Sequence, residues 1–347
     1  MHVCAWVDFF GRDLPTSRCK ALGLRSEGSS PRNAAPNILL DTIWHFERIR
    51  SVIWFSHDLP TGMDPGPMIF VLLPAYNEEK SLPPLLPKID AAMQNAGLPY
   101  QLIVGDDGSS DGTSNMLLGY SAKYPLEIVT HKRNRGLGET SRDLFERVTE
   151  LCGPNDIIVR MDCDDTHNPE TILDLVAKID EGYDVAIASR FQKGGGQKGV
   201  VFHRALLSRC ANLFMKVVFP MRGVWEYSCG FRAYRASLIQ SAIAFYGNNF
   251  IQLKGLGFTC TLEKLVKLNL IGARFTEVPF VLRYDFKQSE SKMVSSLTTL
   301  GYLTMAVCYH WPWGGWRRNY KGQPVPEFRV APETQLIQSD EPQKRAA

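Results

Sequence analysis

The sequence predicts an α/β fold in which a mostly parallel sheet carries helices on both of its faces. Between residues 68 and 189, short apolar runs alternate with segments whose apolar residues recur at helical spacing. Strands that alternate with helices form βαβ units, and these units build a parallel sheet covered on both sides. Ligands bind such sheets beyond the carboxyl ends of the strands, so we expect the loops at those ends to form one site.

Five strands and four helices are predicted in this alternating part. The strands are short apolar runs, as expected for buried parallel strands, at 68–73, 101–105, 126–130, 156–162 and 184–189. The helices have apolar residues on one side and lie at 82–93, 111–122, 138–151 and 169–179. After residue 190 the pattern changes to longer helices with one clear strand at 276–282. The three glycines at 194–196 indicate a mobile loop over the site or a linker.

The composition is that of an ordinary globular protein, and it excludes several classes. Of 347 residues, 44% are hydrophobic and 22% are charged, which rules out disorder throughout and a fibrous protein. The 39 basic and 36 acidic residues leave a net charge of +3, too little to predict a nucleic-acid partner. The eight cysteines form no CxxC pair, so we expect free thiols in a reducing compartment such as the cytoplasm.

Both ends of the chain and one late segment differ from the alternating part. Residues 1–67 contain clusters of Pro, Gly and Ser, and we expect an N-terminal extension of uncertain structure. Residues 323–347 are polar without periodicity, which predicts a mobile tail. Residues 293–316 lack Asp, Glu, Lys and Arg and are long enough to span a bilayer. Their serines, threonines and histidine favour an amphipathic or interfacial helix over a spanning one.

Two aspartates end the fourth predicted strand. Asp162 and Asp164 are two residues apart in an extended segment, so their side chains point the same way. Two hard oxygen ligands suit Mg²⁺ or Mn²⁺, with waters and a diphosphate completing the coordination. The alternative is an Asp-rich turn before the next helix, in which Asp165 and Asn168 would provide the cap.

Two further aspartates and two glycines follow the second and third predicted strands. Asp106 and Asp107 can accept hydrogen bonds from a nucleotide base or a ribose hydroxyl. On these residues alone an Asx turn is favoured, with Asp111 as the cap of the following helix. Gly136 and Gly138 let the backbone approach a ligand closely where the next helix begins.

Seven motifs lie along the chain, most of them on the predicted strand ends: PAYNEE (74–79), DDGSSDGT (106–113), RNRGLG (133–138), DCD (162–164), ASRF (188–191), SCGFRAYR (228–235) and ESK (290–292). In this order they resemble the family 2 glycosyltransferases of the GT-A fold, a Rossmann-like arrangement. Within that family the chain looks like the dolichol-phosphate mannose synthase-like enzymes, which transfer sugars to polyprenyl phosphates. The resemblance covers roughly residues 68–295.

The resemblance implies a role for each matching residue. The nucleotide-sugar donor, carrying GDP or UDP, would be bound by Pro74, Tyr76, Glu78, Asp106, Asp107 and Gly136. Asp162 and Asp164 would hold Mg²⁺ or Mn²⁺ against the donor diphosphate, and Arg190 would act with them in catalysis. The acceptor phosphate would be bound by Arg204, Ser208, Arg283 and Lys292. Two positions depart from the family pattern, because Thr166 stands where a Gln is frequent and Glu226 where an Asp is usual.

Two activities follow from these residues, and they differ in the acceptor. A polyprenyl phosphate is already an anion at neutral pH, so its inverting attack on the sugar needs no strong base. A saccharide or another hydroxyl acceptor needs a catalytic carboxylate, for which Glu226 and Asp165 are the candidates. Arg204 and Ser208 favour the phosphate acceptor. A sugar-nucleotide sensor without activity is disfavoured by the intact pair of Asp162 and Asp164.

The chain is therefore predicted to have four parts and a place beside a membrane. The extension 1–67 precedes a donor- and metal-binding core at 68–235, an acceptor-side part at 236–322 and the tail 323–347. The apolar helix at 200–219 and the segment 293–316 are candidates for contact with the lipid. We expect a peripheral enzyme at the cytoplasmic face of a membrane.

Overall fold

The computed structural model describes residues 66–287 and 295–329, and a seven-stranded sheet runs through it. Its strands are β1 (Ile69–Ala75), β2 (Tyr100–Asp106), β3 (Leu126–Thr130), β4 (Ile157–Arg160), β5 (Val185–Ser189), β7 (Arg232–Arg235) and β8 (Phe275–Pro279). They lie in the order β3-β2-β1-β4-β7-β5-β8. Neighbouring strands are parallel except β7, which is antiparallel to both β4 and β5.

Helices cover both faces of this sheet. They are α1 (Leu82–Ala96), α2 (Thr113–Tyr120), α3 (Leu137–Leu151), α4 (Thr171–Asp180), α5 (Phe202–Val218), α6 (Ala236–Tyr246), α7 (Thr259–Leu270), α8 (Ser295–His310) and α9 (Gly315–Tyr320). Side chains alternate along β1, so Phe70 and Leu72 pack with α3, α6 and α7, whereas Val71 and Leu73 pack with α1 and α4. The predicted α/β class, with a mostly parallel sheet between helices, is confirmed.

The alternating part follows the predicted order from β1 to β5. Each of the five apolar runs is a strand, and each of the four amphipathic segments between them is a helix. The strands are recognisable because a parallel strand covered on both faces needs apolar side chains on both sides.

Strand β7 was not predicted, although it lies in the motif at 228–235. Its sequence is Arg-Ala-Tyr-Arg, which does not read as a buried run. Arg232 is nevertheless fully buried, and its guanidinium donates hydrogen bonds to the carbonyl oxygens of Thr261 and Tyr227 at 2.7 and 2.8 Å. The charge is tolerated in the core because these oxygens satisfy it.

The predicted strand 276–282 and the triple glycine also need correction. The predicted run divides into β8, which ends at Pro279, and β9 (Val281–Arg283), which pairs with β6 (Gly196–Lys198) in a separate two-stranded sheet. Gly196 donates its N–H to the Phe280 carbonyl at 2.9 Å, so the glycines lead into a short strand.

The start of the predicted tail is packed against the core. Phe328 is buried in the same cluster as β1 residues, and its carbonyl accepts a 2.6 Å hydrogen bond from Ser237. Arg329 donates to the Gly272 carbonyl at 2.7 Å. Phe328 and Arg329 therefore contact the core, and the mobility of the tail stays a prediction. Residues 330–347 of the predicted tail, and residues 1–65 of the predicted extension, lie outside the described residues.

The segment predicted to be amphipathic contains α8. One side of α8 is buried through Thr298, Met305 and Tyr309, whereas Leu300 and Leu303 are exposed. Among the helices of the described ranges, none has the length and apolar character needed to cross a bilayer.

Candidate functional site

The loops after β1 and β2 are joined by hydrogen bonds at the carboxyl edge of the sheet. The backbone N–H of Asn77 donates to the Ser109 hydroxyl at 3.0 Å, and the N–H of Ser110 returns a 2.8 Å bond to Asn77 Oδ1. Glu78 is buried, and its carboxylate accepts from the Ser81 hydroxyl at 2.8 Å. Pro74 and Tyr76, the other two residues expected to line a donor pocket in this loop, are half-buried.

Asp107 organises the loop that follows β3. Its carboxylate accepts hydrogen bonds from the N–H groups of Arg135 and Gly136, both at 2.8 Å, and lies 2.7 Å from His131 Nδ1. Gly136 has φ +89°, a left-handed conformation that favours glycine. The loops after β2 and β3 therefore reach one another, as the convergence of strand ends predicts.

Asp106 closes the turn after β2. Its carboxylate accepts from the N–H of Ser109 at 3.0 Å and from the Ser114 hydroxyl, and the side chain is buried. Asp111 accepts from the N–H of Thr113 at 3.0 Å. The N-cap of α2 is Gly112, so the prediction that Asp111 caps this helix is wrong by one residue. Contact of Asp106 and Asp107 with a donor stays a prediction.

Each aspartate of the loop 162–165 is paired with a basic residue. Asp162 forms an ion pair with Arg160 at 2.7 Å, and Asp165 binds Lys88 at 2.6 Å. Asp164 binds the ammonium group of Lys287, and its other oxygen accepts a 2.6 Å bond from the Thr166 hydroxyl. Asp165 is thus engaged by Lys88 rather than by the start of α4, so its predicted alternative role as a helix cap is wrong.

Electrostatics keep Asp164 ionised. Burial alone would raise the pKa of the Asp164 carboxyl, but the neighbouring Lys287 and the Thr166 hydroxyl reverse this effect and lower it. Burial lowers the pKa of His167, so its ring is neutral, and Nδ1 accepts the backbone N–H of Asp162 at 3.2 Å. The loop therefore presents anionic carboxylates and no positive imidazole.

These residues fit a divalent cation. Within the described ranges no three His, Cys, Asp or Glu side chains are grouped as metal ligands. Asp162 and Asp164 could still hold Mg²⁺ or Mn²⁺ if a diphosphate and waters supply the remaining oxygens. The ammonium of Lys287 shows that a cation is accommodated at Asp164 while the carboxylate stays ionised.

Another ion pair, between Arg190 and Glu226, lies at the end of β5. Arg190 Nε is 2.7 Å from Glu226 Oε2, and an Arg190 terminal nitrogen is 2.9 Å from Oε1, so the contact is bidentate. Glu226 is fully buried and also accepts from the N–H groups of Ser228 and Cys229. Burial alone would raise the pKa of Glu226, but Arg190 and these hydrogen bonds lower it. Both oxygens of Glu226 are therefore engaged, and Arg190 is held rigidly.

The structure describes only some of the residues predicted to bind the acceptor. Ser208 lies on α5 and is half-buried; the side chain of Arg204, also on α5, and the whole of Lys292 lie outside the described parts. Arg283 pairs with Asp285 at 2.8 Å and stacks on Phe286 at 3.7 Å. The N–H of Arg283 donates to the Thr166 carbonyl at 3.0 Å, which brings the end of β9 to the acidic loop.

Sequence reasoning missed several basic partners in the site: Lys88, His131, Arg160, His167 and Lys287. Arg160 left a visible signal, because it is a charged residue inside an apolar strand and directly precedes the acidic loop. A side chain on Gly230 would collide with its guanidinium, so that glycine makes the space for it. Lys88 and Lys287 left no such signal, because they are 77 and 123 residues away in the sequence from the aspartates that they bind.

A family model described as "Glycosyl transferase family 2" matches residues 70–242 of the chain. These residues form a family 2 glycosyltransferase domain. The domain includes β1 to β5, β7 and the loops with the acidic residues described above. The family resemblance predicted from the seven motifs is confirmed.

Two relatives of the family 2 domain have names that specify lipid phosphates. The "Dolichol-phosphate mannosyltransferase" of Pyrococcus furiosus is 33% identical over 213 residues, which are 61% of this chain and 55% of that protein. The "Undecaprenyl-phosphate 4-deoxy-4-formamido-L-arabinose transferase" of Klebsiella pneumoniae is 33% identical over 181 residues, or 52% of each chain. The chain thus spans about half the length of these curated relatives.

Solved structures similar to the family 2 domain are more distant. S. aureus TarS in complex with UDP-GlcNAc has 21% identity and a TM-score of 0.45, covering 68% of this chain and 66% of TarS. Mycobacterium tuberculosis glucosyl-3-phosphoglycerate synthase with Mn²⁺ and UDP-glucose has 19% identity and a TM-score of 0.47, covering 77% and 82%.

Proposed function

We propose that this protein transfers a sugar from a GDP- or UDP-sugar to a polyprenyl phosphate, with inversion at the anomeric carbon. The observation that carries this proposal is that both carboxylates that could act as a base are buried and already bound. Glu226 is fully buried with both oxygens bound, and Asp165 is buried with both oxygens on Lys88. Neither is placed to take a proton from a hydroxyl acceptor.

The acceptor phosphate removes the need for such a base. A hydroxyl must lose its proton as it attacks, and a base must come within hydrogen-bond reach of it. A phosphate monoester attacks through an oxygen that is already anionic. The names of the two lipid-phosphate transferases that this chain resembles agree with this choice of acceptor.

Negative charge builds on the departing nucleotide as the sugar–diphosphate bond breaks. Asp162 and Asp164 would hold Mg²⁺ or Mn²⁺, which when bound would supply positive charge to that diphosphate. Arg190, fixed by Glu226 at the end of β5, provides a preorganised cation on the same edge of the sheet. The loops with Asp107 and Gly136 would receive the nucleoside.

Contact with a membrane is the second part of the proposal. Phe202, Leu206, Leu213 and Val217 recur at helical spacing on α5 and are all more than half exposed. The Val218 carbonyl at the end of α5 accepts a 3.1 Å hydrogen bond from His310 at the end of α8, which itself exposes leucines. Apolar surface of this extent is unfavourable in water and suits the interfacial region of a bilayer. We place the enzyme at a cytoplasmic membrane face, where its free thiols would stay reduced.

A transfer assay with matched acceptors tests the proposal. The full chain, Mn²⁺ and a panel of GDP- and UDP-sugars are incubated with a polyprenyl phosphate, the corresponding polyprenol or a free saccharide. We expect transfer to the polyprenyl phosphate alone. Transfer to the saccharide or the polyprenol without transfer to the phosphate would contradict the proposal and would require a carboxylate base.

A further inference from the structure

Lys287 lies against the acidic loop. Its ammonium group binds Asp164, and the two side chains are only 13% and 15% exposed. The ammonium therefore occupies a carboxylate that is expected to hold a metal.

The segment that carries Lys287 is fixed beside the same loop. Arg283 donates its N–H to the Thr166 carbonyl at 3.0 Å, and the Lys287 N–H donates to the Tyr284 carbonyl at 3.3 Å. The Phe286 ring lies between the Arg283 guanidinium at 3.7 Å and the Lys88 ammonium at 5.4 Å. Residues 283–287 thus hold a cation against Asp164.

We infer that Lys287 occupies Asp164 until a divalent cation and the nucleotide bind together, and that Lys287 then pairs with the diphosphate of the nucleotide. The inference rests on the proposed function. Lys287 and a divalent cation compete for the same carboxylate. A mostly buried ammonium cannot be left without an anion at low cost, so a metal alone binds weakly. The diphosphate oxygens offer Lys287 a new charge-assisted partner, which makes metal and nucleotide binding cooperative.

Calorimetry on the full chain tests this coupling. The affinity for Mn²⁺ is measured alone and in the presence of GDP or UDP, for the unmodified protein and for Lys287→Met. Loss of one charge-assisted contact corresponds to a factor of roughly 10 to 100. We expect Lys287→Met to bind Mn²⁺ alone tighter by about this factor. We also expect the gain in Mn²⁺ affinity on adding nucleotide to shrink by about the same factor.

Matched variants separate competition from a general change in charge. Lys88→Met removes a more exposed ammonium from Asp165, one residue further along the loop, and should change the Mn²⁺ affinity less than about threefold. Lys287→Arg keeps a cation on Asp164 and should bind Mn²⁺ alone as weakly as the unmodified protein. Lys287→Gln also removes the charge but keeps N–H donors, and it replaces Lys287→Met if that variant does not fold.

The outcomes show separately whether the inference fails and whether the proposed function fails. If Lys287→Met binds Mn²⁺ no tighter than the unmodified protein, or keeps the full cooperativity with nucleotide, the inference is overturned and the proposed function stands. If no variant binds Mn²⁺ with either nucleotide present, the metal site within the proposed function is itself contradicted.

Discussion

The two halves of the described chain differ in what they expose and in which of their helices bury charge. In residues 66–190, called here the N-terminal half, apolar residues form the core, and Leu118 is its only large hydrophobic residue that is largely exposed. In the described residues after 190, the C-terminal half, charged residues lie inside secondary structure. Helix α7 buries Glu263, Lys264 and Lys267, while α5 turns an apolar face outward.

This difference indicates where each half performs its function. In the N-terminal half the buried carboxylates of Glu78, Asp106 and Asp107 lie at strand ends, where they hold the loops at the carboxyl edge of the sheet. The C-terminal half buries Arg232, Lys264 and Lys267, as the N-terminal half buries Arg160, and it also presents apolar surface to the outside. Such departures from the usual pattern are expected at functional or strained sites. Four variants test this comparison, and they are ordered here by the expected size of their effects.

Removing the charge of Glu226 should have the largest effect. Glu226→Gln leaves Arg190 buried without its carboxylate, and breaking a buried ion pair costs about 3–5 kcal/mol of unfolding free energy. Urea unfolding measures the loss. Glu181→Gln breaks an exposed pair with Lys178 and should leave the transition unchanged. Equal effects of the two variants would show that burial of charge does not distinguish the C-terminal half.

Lys264 predicts a pH dependence of stability. Burial lowers the pKa of Lys264 from its ordinary value of 10.5 to about 7, and the nearby cations Arg160 and Arg232 contribute. The unfolded chain therefore binds more protons than the folded chain between about pH 7 and about pH 10, so stability rises with pH across this window. The gain should be on the order of a few kcal/mol.

The variant Lys264→Met shows whether this residue is the cause. It should flatten the rise in unfolding free energy between about pH 7 and about pH 10, and it should stabilise the protein at the lower end. Urea unfolding at both pH values measures the difference. Burial also lowers the pKa of the neighbouring Lys267, but its ammonium is paired with Glu263 at 2.5 Å, so Lys267→Met should destabilise the protein at both pH values. A rise of unchanged size in Lys264→Met would contradict the assignment.

The comparison also explains how much of the fold was predictable. Strands such as 69–75 are apolar along their whole length, and helices such as α1 have one apolar side, so periodicity alone identified each element of the N-terminal half. Strand β7 failed this test because Arg232 is a core residue whose guanidinium donates to two carbonyls, one of them 29 residues away at Thr261. Periodicity cannot identify a residue that is both charged and buried.

The candidate site shows the same division. Asp162 and Asp164 were recognisable, because an acidic pair at a strand end is a local pattern. Their partners were not, since Lys287 meets Asp164 through the fold rather than through the sequence. The engagement of Glu226 by Arg190, on which the proposed choice of acceptor rests, likewise depends on a contact across 36 residues.

A substitution in the loop after β2, in the N-terminal half, should lower the free energy of unfolding less than Glu226→Gln does. Asp107→Ala removes the acceptor for two backbone N–H groups and the partner of His131, which should cost about 2–3 kcal/mol. Unfolding by urea measures the loss, and calorimetry with GDP or UDP measures the effect on the nucleotide. We expect nucleotide binding to fall, because the loop after β3 loses its anchor. A variant of normal stability and normal nucleotide affinity would mean that Asp107 does not organise this loop.

Substitutions on the apolar surface of α5 should have the smallest effect on the free energy of unfolding. They should have the largest effect on membrane binding. Leu206 and Val217 are 51% and 73% exposed, so replacing both with Ser should leave urea unfolding nearly unchanged. If these side chains enter a bilayer, the double variant loses about 1 kcal/mol at each, and its partitioning to phosphatidylcholine–phosphatidylglycerol vesicles falls by roughly 10- to 100-fold. Leu118→Ser is the matched control, because Leu118 is 66% exposed on α2 in the other half. A control that lost as much vesicle binding as the double variant would show general hydrophobicity at work, whereas a loss confined to α5 assigns membrane contact to the C-terminal half.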